Sequence, residues 1–487
     1  YDVDGSTSAS ILYKFLNNFT NNIFVETPNR LSEGYGPNHR LMDQMLKKNV
    51  NLVFTLDCGT TSFDIIDNKK YSSLDVIVID HHLSEAILPK VFSIINPNRF
   101  DENNDYQQMS AVGVTFLFLM ALRKKLRISK YFNHYNLEPN LMNYLDLVAL
   151  GTICDVVELK DYNRVFVKIG LDIIKQRKNK AISKMIDNSN INSTPTSTDL
   201  AFIIGPQINA ASRIDDSLLP SKLLTSKRID EIESISRKLL LLNEKRKLIE
   251  NQIFEDAIIQ SENQEAKNYI LVYGKNWHNG VLGIVASRIL SIYYKPTIVI
   301  SFNGSLGLGS ARSIKNIDLG NIILEAKNKK MLLSGGGHQM AAGFKIEFDF
   351  IEKFKNFIDN KLSSYQENLF KKIEKFDSVI SINEINQDLL DNINQIEPFG
   401  SGNHEPRFII NDLKINKVQI IKEKHLLVFF INDFSHNIKG ICFNCVGKII
   451  GDYLLNFKNK KLLIGCTIKK DKFSENSLPQ IIIKDVM

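Results

Sequence analysis

Two short apolar runs end in residue types that bind metals, and this constrains the fold more than any other feature of the chain. Leu52–Leu56 ends at Asp57, and Val76–Ile79 ends at Asp80, His81 and His82. Runs of four or five apolar residues read as buried strands. Helical stretches separate them, so residues 1–190 are expected to build a parallel α/β sheet. In open sheets of that kind, ligands bind beyond the carboxyl ends of the strands. A lone Asp after a strand is usually a helix N-cap. Asp80, His81 and His82 in a row, with Asp57 beside them, weaken that explanation.

The rest of the chain divides by pattern. Residues 193–198 read as a loop. Ile229, Ile232, Ile235, Leu239, Leu242, Ile249 and Ile253 keep mostly three- and four-residue spacing over about 229–260. That predicts one long connecting helix whose apolar stripe is core. Residues 268 to about 362 form a second α/β unit. Its expected parts are strands at Tyr269–Val272 and Thr297–Ile300, a helix at Val281–Leu290 and a Gly-rich segment, Gly335–Gly337. From about 408, the runs Leu426–Ile431, Leu462–Ile468 and Gln480–Ile483 predict a small barrel.

Composition sets bounds. A chain of 487 residues should hold two to four domains. The net charge of +7 permits an anionic partner without requiring one. Five cysteines, odd in number and scattered, exclude a disulfide scaffold and fit a reducing cytoplasm. Cys442 and Cys445 form one C-x-x-C without a second pair, and are read as ordinary strand cysteines rather than a zinc site. No apolar run reaches the roughly 18–20 residues of a membrane span. The chain opens on Tyr1 inside a motif, so it reads as a fragment whose own start is missing.

The chemistry concentrates in Asp2, Asp4, Asp57, His81, His82 and Asp155. Carboxylates with imidazole suit Mn²⁺, or Mg²⁺ with more water. Two such ions bring four positive charges together, which calls for several carboxylates and usually one that bridges. A pair can clamp a phosphate and generate hydroxide near neutral pH.

The motifs around these residues resemble those of the RecJ exonucleases of the DHH phosphoesterase superfamily. Tyr1-Asp2-Val3-Asp4-Gly5, Leu56-Asp57-Cys58-Gly59, Asp80-His81-His82 and the stretch Ala149–Val157 are similar to its four motifs. The resemblance implies that Asp2, Asp4, Asp57, His81 and Asp155 bind two Mn²⁺ or Mg²⁺ ions. Asp57 would bridge them, and His82 would touch the scissile phosphate or assist the leaving group. The family pattern has a further strand and Asp before Tyr1, which this chain does not carry.

More segments extend the likeness. Pro28-Asn29-Arg30 with Gly34-Tyr35-Gly36 resembles a substrate-lining segment, and Gly205–Arg213 a family signature. His278–Arg288, Gly309–Ser313 and Gly335–Gly343 resemble the DHH-associated domain. Phosphate contacts would come from Arg30, Arg213, Ser310, Arg312, Gly336, Gly337 and His338. Arginine suits that role because its fork binds phosphate bidentately. In the Gly-rich segment, backbone N–H groups and a following helix N-terminus are expected to add positive potential. Pro398–Pro406 resembles the entry into an OB-fold, where Phe429, Phe430 and Lys439 are stacking or charge candidates.

These readings predict a DHH domain (1–190), a linker and connecting helix (191–265), a DHH-associated domain (266–365), a linker (366–407) and an OB-fold (408–487). The implied activity is metal-dependent hydrolysis of single-stranded DNA in repair and recombination. The resemblance implies 5′-to-3′ direction, 5′-mononucleotide products, and a single-strand-binding protein and a helicase as partners, with no membrane. One rival is a small-substrate DHH phosphoesterase such as an oligoribonuclease/pAp phosphatase, which lacks the barrel. The other is a non-catalytic DHH replication scaffold, which typically loses metal carboxylates.

Overall fold

The structure is a computed structural model and describes residues 1–134, 136–262, 264, 267–434, 436–456, 461–471 and 478–487. The expected boundary at 265/266 lies outside the described residues. The chain forms two compact units, Tyr1–Lys372 and Ile373–Met487.

The first unit contains two sheets. β1 (Leu52–Leu56), β2 (Asp75–Ile79) and β3 (Ser93–Ile95) are parallel and adjacent in that order. Both apolar runs that anchor the sequence reading are therefore neighbouring strands, with Leu56 opposite Ile79. Their carboxyl ends place Asp57 and Asp80 side by side. Helices Val3–Leu16, Ala111–Ile128 and Leu145–Cys154 pack around this sheet through Ile11, Phe15, Leu119, Leu147 and Leu150, all buried. Gly151 permits the crossing of two of these helices, because a Cβ there would lie 2.4 Å from Thr7 Oγ1.

The long helix runs Ile229–Glu262, close to the expected span. At 1.5 Å per residue it is about 50 Å long. Ile232, Ile235 and Leu239 join the core of the first sheet, while Ile253 and Ala257 join that of the second. One apolar stripe thus serves two cores. The expected loop at 193–198 is shorter, since Thr196 and Asp199 form a capping box that starts a helical turn at Ser197.

The second sheet has the order β4 (Ile270–Lys275), β5 (Thr297–Asn303), β6 (Leu306–Arg312), β8 (Ala341–Glu347), β7 (Ser334–His338). Only β4 and β5 are parallel. The outer edge of β4 is covered by side chains of the long helix. Gln260 donates to Tyr273 O (3.0 Å) and accepts from Tyr273 N (3.1 Å). Gln264 does the same for Leu271, at 2.9 and 3.0 Å. Residues i and i+4 of a helix face i and i+2 of a strand, so two amides complete a ladder and close an edge that would otherwise invite pairing.

The second unit is a closed barrel of β10 (Phe408–Ile421), β11 (His425–Ile431), β12 (Asn437–Cys442), β14 (Pro479–Val486) and β13 (Leu462–Lys470), with β9 (Ser378–Ile380) added beside β10. β10 closes it by pairing with β13 through Phe408–Leu413 and with β11 through Lys414–Ile421, with register shifts at both pairings. Period-two burial along β11 puts Phe430 in the core, which removes it as a stacking candidate. Lys439 pairs with Asp471 at 2.6 Å, and Phe429 is half-buried on the outer face. Cys442 ends β12 and Cys445 lies in the turn after it rather than in a strand; all five cysteines are free thiols. Among the described residues, no helix is long and apolar enough to cross a membrane.

Candidate metal and nucleic-acid site

Asp57 leaves β1 with φ 60°, a left-handed conformation that Asp tolerates better than most residues. Two residues on, Gly59 has φ 114°, and a Cβ there would lie 2.6 Å from Thr55 Oγ1. This turn carries the Asp57 carboxylate over the end of the sheet toward His81. His81 Nδ1 lies 3.0 Å from Met109 O, so the proton is assigned to Nδ1 and the Nε2 lone pair is free to bind a cation. That Nε2 stands 3.4 Å from Asp57 Oδ1, 3.5 Å from Asp155 Oδ2 and 3.9 Å from Asp4 Oδ2.

His81 Nε2, Asp57 Oδ1 and Asp155 Oδ2 are buried atoms with no hydrogen-bond partner. Leaving such groups unpaired costs free energy, and here three converge. Two overlapping triads can each hold a cation: Asp57–His81–His82 and Asp4–His81–Asp155. The residues present therefore fit divalent ions. His81 is common to both triads. Asp57, to which the sequence reading gives the bridge, shares a hydrogen bond with Asp2. Asp2 also caps the first helix, accepting from Gly5 N at 3.1 Å.

The metal-free electrostatics agree with this. Burial, then the Asp4 charge, pushes the Asp155 carboxyl up to about 9. Burial pushes Asp4 up to about 6, against the opposing pull of His81. Burial with Asp2 and Asp4 nearby raises Asp57 well above the carboxylate range. Crowded carboxylates hold protons that a cation would displace.

His82 is half exposed. Its Nδ1 lies 2.7 Å from Asp80 Oδ1, which leaves Nε2 available. The Tyr35 hydroxyl stands 3.4 Å from the ring and also donates to Asp57 O. Asp80 is not among the metal groups; it orients the motif. Its carboxylate accepts from Thr60 N and Oγ1 and from the backbone N–H groups of His81 and His82. Asn96 and Asn98 donate to His82 O and His81 O. Sequence reasoning did not single out Thr60, Asn96 or Asn98. Their one available signal is position, just past the ends of β1 and β3.

A second cluster is cationic. Arg30 lies over the Tyr1 ring at 5.0 Å. Arg213 donates from Nη1 to Gly280 O at 2.8 Å, tying the first sheet's domain to the second's. A Cβ on Gly280 would lie 2.2 Å from Arg213 O, so only glycine permits that approach. Arg312 fits against Gly283, where a Cβ would meet its Nη2 at 2.6 Å. Burial, then the charges of Arg30, Arg246 and Arg312, holds the Arg213 guanidinium well below its ordinary value. Burial and Arg30 lower Arg312 likewise. Among the described residues, no carboxylate forms an ion pair with Arg30, Arg213 or Arg312.

Register extends this cluster. Arg312 is opposite Ala341, and Ala341 is opposite His338. Ser310, Gly343 and Gly336 form the adjacent row on the same face. A Cβ on Gly336 would meet nothing within 4 Å, so the floor beside Arg312 is open. The Gly-rich segment departs from expectation in one respect. It is the edge strand β7, and the chain turns back into β8 rather than into a helix. Glycine here serves close pairing, since a Cβ on Gly337 would lie 2.3 Å from Ala341 O. A following helix N-terminus is found instead after the His278–Val281 segment, where a helix runs Leu282–Tyr293.

Comparison with known proteins places these parts. Three family models match: the DHH family, N-terminal domain, over residues 1–152, the DHHA1 domain over 266–364, and the RecJ OB domain over 376–485. The structure of RecJ from Thermus thermophilus in complex with Mn²⁺ covers the whole chain with TM-score 0.82, at 24% identity and 68% of that protein. A structure of exonuclease RecJ bound to manganese covers 76% of this chain and 90% of its own, with TM-score 0.64 and 28% identity. The single-stranded-DNA-specific exonuclease RecJ of Haemophilus influenzae is 33% identical over 421 residues, 84% of this chain and 73% of its own. On that identity and coverage, the chain belongs to the RecJ family.

Proposed function

We propose that this chain is a divalent-metal-dependent exonuclease that hydrolyses single-stranded DNA. The observation that carries the reading is the convergence of three orphaned atoms, Asp57 Oδ1, His81 Nε2 and Asp155 Oδ2, near Arg30, Arg213 and Arg312, which have no carboxylate ion-pair partner among the described residues. Asp2, Asp4, Asp57, His81 and Asp155 would hold two Mn²⁺ or Mg²⁺ ions. When bound, such ions supply Lewis-acid charge and lower the pKa of water. Arg30, Arg213 and Arg312 neutralise the phosphates next to the cleaved bond and hold the strand in register. Asp80 accepts the His82 Nδ1–H and so fixes the ring, and in the imidazolium form Nε2–H can bond the phosphate or give its proton to the leaving oxygen. Ser310, Gly336 and His338 form the floor on which the strand lies, while Gly337, which the sequence reading also put there, pairs with Ala342 in the row that faces the other way.

Two features weigh against the rivals. A scaffold gains nothing from buried carboxylates that repel one another. A small-substrate enzyme gains nothing from an OB barrel, a fold that binds single strands by stacking and charge. The finer reading is 5′-to-3′ degradation to 5′-mononucleotides, in a reducing cytoplasm, alongside a single-strand-binding protein and a helicase. Single- and double-stranded DNA labelled at either end, with Mn²⁺ or with EDTA, tests it. The expected result is metal-dependent loss of the single strand alone, with a 5′ label released first as a mononucleotide. Release of a 3′ label first reverses the direction, and binding without cleavage favours the scaffold.

A further inference from the structure

We propose that the groove beside Trp277 is a nucleobase subsite, taking one unstacked base of the single strand whose phosphates lie on the Arg30–Arg213–Arg312 cluster. The proposal rests on the nuclease reading above and adds where the strand is gripped by its bases.

The groove has a volume of about 380 Å³ and lies in the first unit. That is within the roughly 300–1,000 Å³ that suits a small organic ligand. It is lined by Trp277, Leu31 and Leu308 and by the amides of Asn276, Asn279 and Asn303. Among the described residues, no Lys, Arg, Asp or Glu lines it. His278 also lines it, and the Lys245 charge reaches that ring from outside the lining, so the lining itself offers a phosphate no fixed charge. A flat aromatic face with apolar neighbours and several amides matches a base, which stacks on rings and pairs its edges with amide groups.

Trp277 is built to stay in place. A Cβ on Gly274 would lie 2.2 Å from the indole Cε2, so the ring rests on bare strand backbone. Ser301 Oγ donates to Trp277 O at 2.6 Å. Next to it, His278 Nδ1 accepts from Gly280 N at 3.1 Å, which assigns the remaining proton to Nε2. The groove is also continuous with the cationic cluster along the chain. Leu31 follows Arg30, and Asn279 precedes Gly280, whose carbonyl takes the Arg213 hydrogen bond. Phosphate recognition ends where neutral aromatic and amide lining begins. That is the order a strand needs when its backbone is held by charge and its base is turned aside.

Trp277 is the chain's one tryptophan, so its fluorescence reports this groove alone. The test titrates the full chain in EDTA with a 5′-phosphorylated oligo(dT), and then with oligonucleotides carrying one abasic sugar at successive positions. The expected result is a saturable quench with oligo(dT) and none with inorganic phosphate. One abasic position should remove the quench and weaken binding about tenfold, the size of one lost stack. Trp277→Ala should weaken oligo(dT) binding by a similar factor, and Trp277→Phe should restore it to within about twofold. A silent indole with a flat abasic scan, in protein that binds and cleaves the strand, overturns the subsite and leaves the nuclease reading standing. Protein that neither binds nor cleaves single strands overturns both. A quench produced by an apolar peptide but not by oligo(dT) assigns the groove to a protein partner and also overturns it.

Discussion

Asp4 and Asp155 face the same imidazole nitrogen, yet replacing each by Asn should move stability in opposite directions. The Asp4 carboxylate accepts from Ala111 N at 2.6 Å and Val112 N at 2.8 Å, at the start of helix Ala111–Ile128. An amide keeps one acceptor and turns N–H groups against another N–H. That loses a charge-assisted bond of about 1.5–3 kcal/mol and a helix-terminal charge worth about 0.3–1 kcal/mol. Relief of carboxylate crowding offsets part, but a protonated carboxyl still accepts on both oxygens and an amide nitrogen does not, which leaves a net loss of about 2 kcal/mol. Asp155 Oδ2 makes no hydrogen bond, so its replacement forfeits none there. Its carboxyl is pushed up to about 9 by burial, then Asp4. Each unit of displacement corresponds to about 1.4 kcal/mol. Screening at a side chain 26% exposed reduces the several units to a gain of about 2 kcal/mol at pH 8. In a unit of 372 residues, a change of that size shifts the melting temperature by about 3 °C. Thermal unfolding in EDTA at pH 8 should place Asp4→Asn below and Asp155→Asn above the unaltered chain. With Mn²⁺ present, both should lack most of the upward shift that the unaltered chain shows, and neither should cleave. Asp155→Asn protein that melts lower in EDTA, or that keeps the full Mn²⁺ shift, refutes the reasoning.

The raised carboxyls of Asp4, Asp57 and Asp155 give a pH window. Their folded-state values lie above the unfolded ones, so their contribution to metal-free stability is fully present below about pH 4 and is lost as pH rises through about 6 to 9. Mn²⁺-induced stabilisation should therefore grow between pH 6 and 9, and a flat profile in melting experiments would count against the cluster. Arg312→Ala should weaken binding to strands of any sequence and reduce the slope of log affinity against log salt by roughly 0.7. An unchanged slope by anisotropy makes Arg312 structural. Gln260→Ala with Gln264→Ala should cost about 2–4 kcal/mol, because four backbone bonds at the β4 edge go unmet. Urea denaturation without a lower midpoint would show that water replaces the amides freely.

The metal site was legible because its residues sit at ends of elements whose periodicity is strong. Asp57 and Asp80-His81-His82 close two apolar runs, and parallel pairing of β1 with β2 then brings them together whatever lies between. The long helix was legible for the same reason, and its stripe proved to be core. What sequence could not carry was contact across distance. Asn96 and Asn98 act through hydrogen bonds to the carbonyls of His82 and His81 some 14 and 17 residues away. Nothing in Asn-Pro-Asn marks that role. Gly335–Gly337 is less legible, because glycine runs signal close approach without saying to what; here the partner is β8. Phe429 and Phe430 could be separated only by the barrel's inside and outside, which alternate along β11.

The central claim is that Asp57 belongs to a metal site that cleaves, and that strand binding is carried by other groups. The most direct measurement pairs two assays on one 5′-labelled single strand: cleavage in Mn²⁺, and binding in EDTA, for the full chain and for Asp57→Ala. The account predicts rapid metal-dependent cleavage by the unaltered chain, none detectable with Asp57→Ala, and binding by both within about twofold, because the guanidinium contacts remain. Near-normal turnover by Asp57→Ala, or cleavage by the unaltered chain that persists in EDTA, would contradict it.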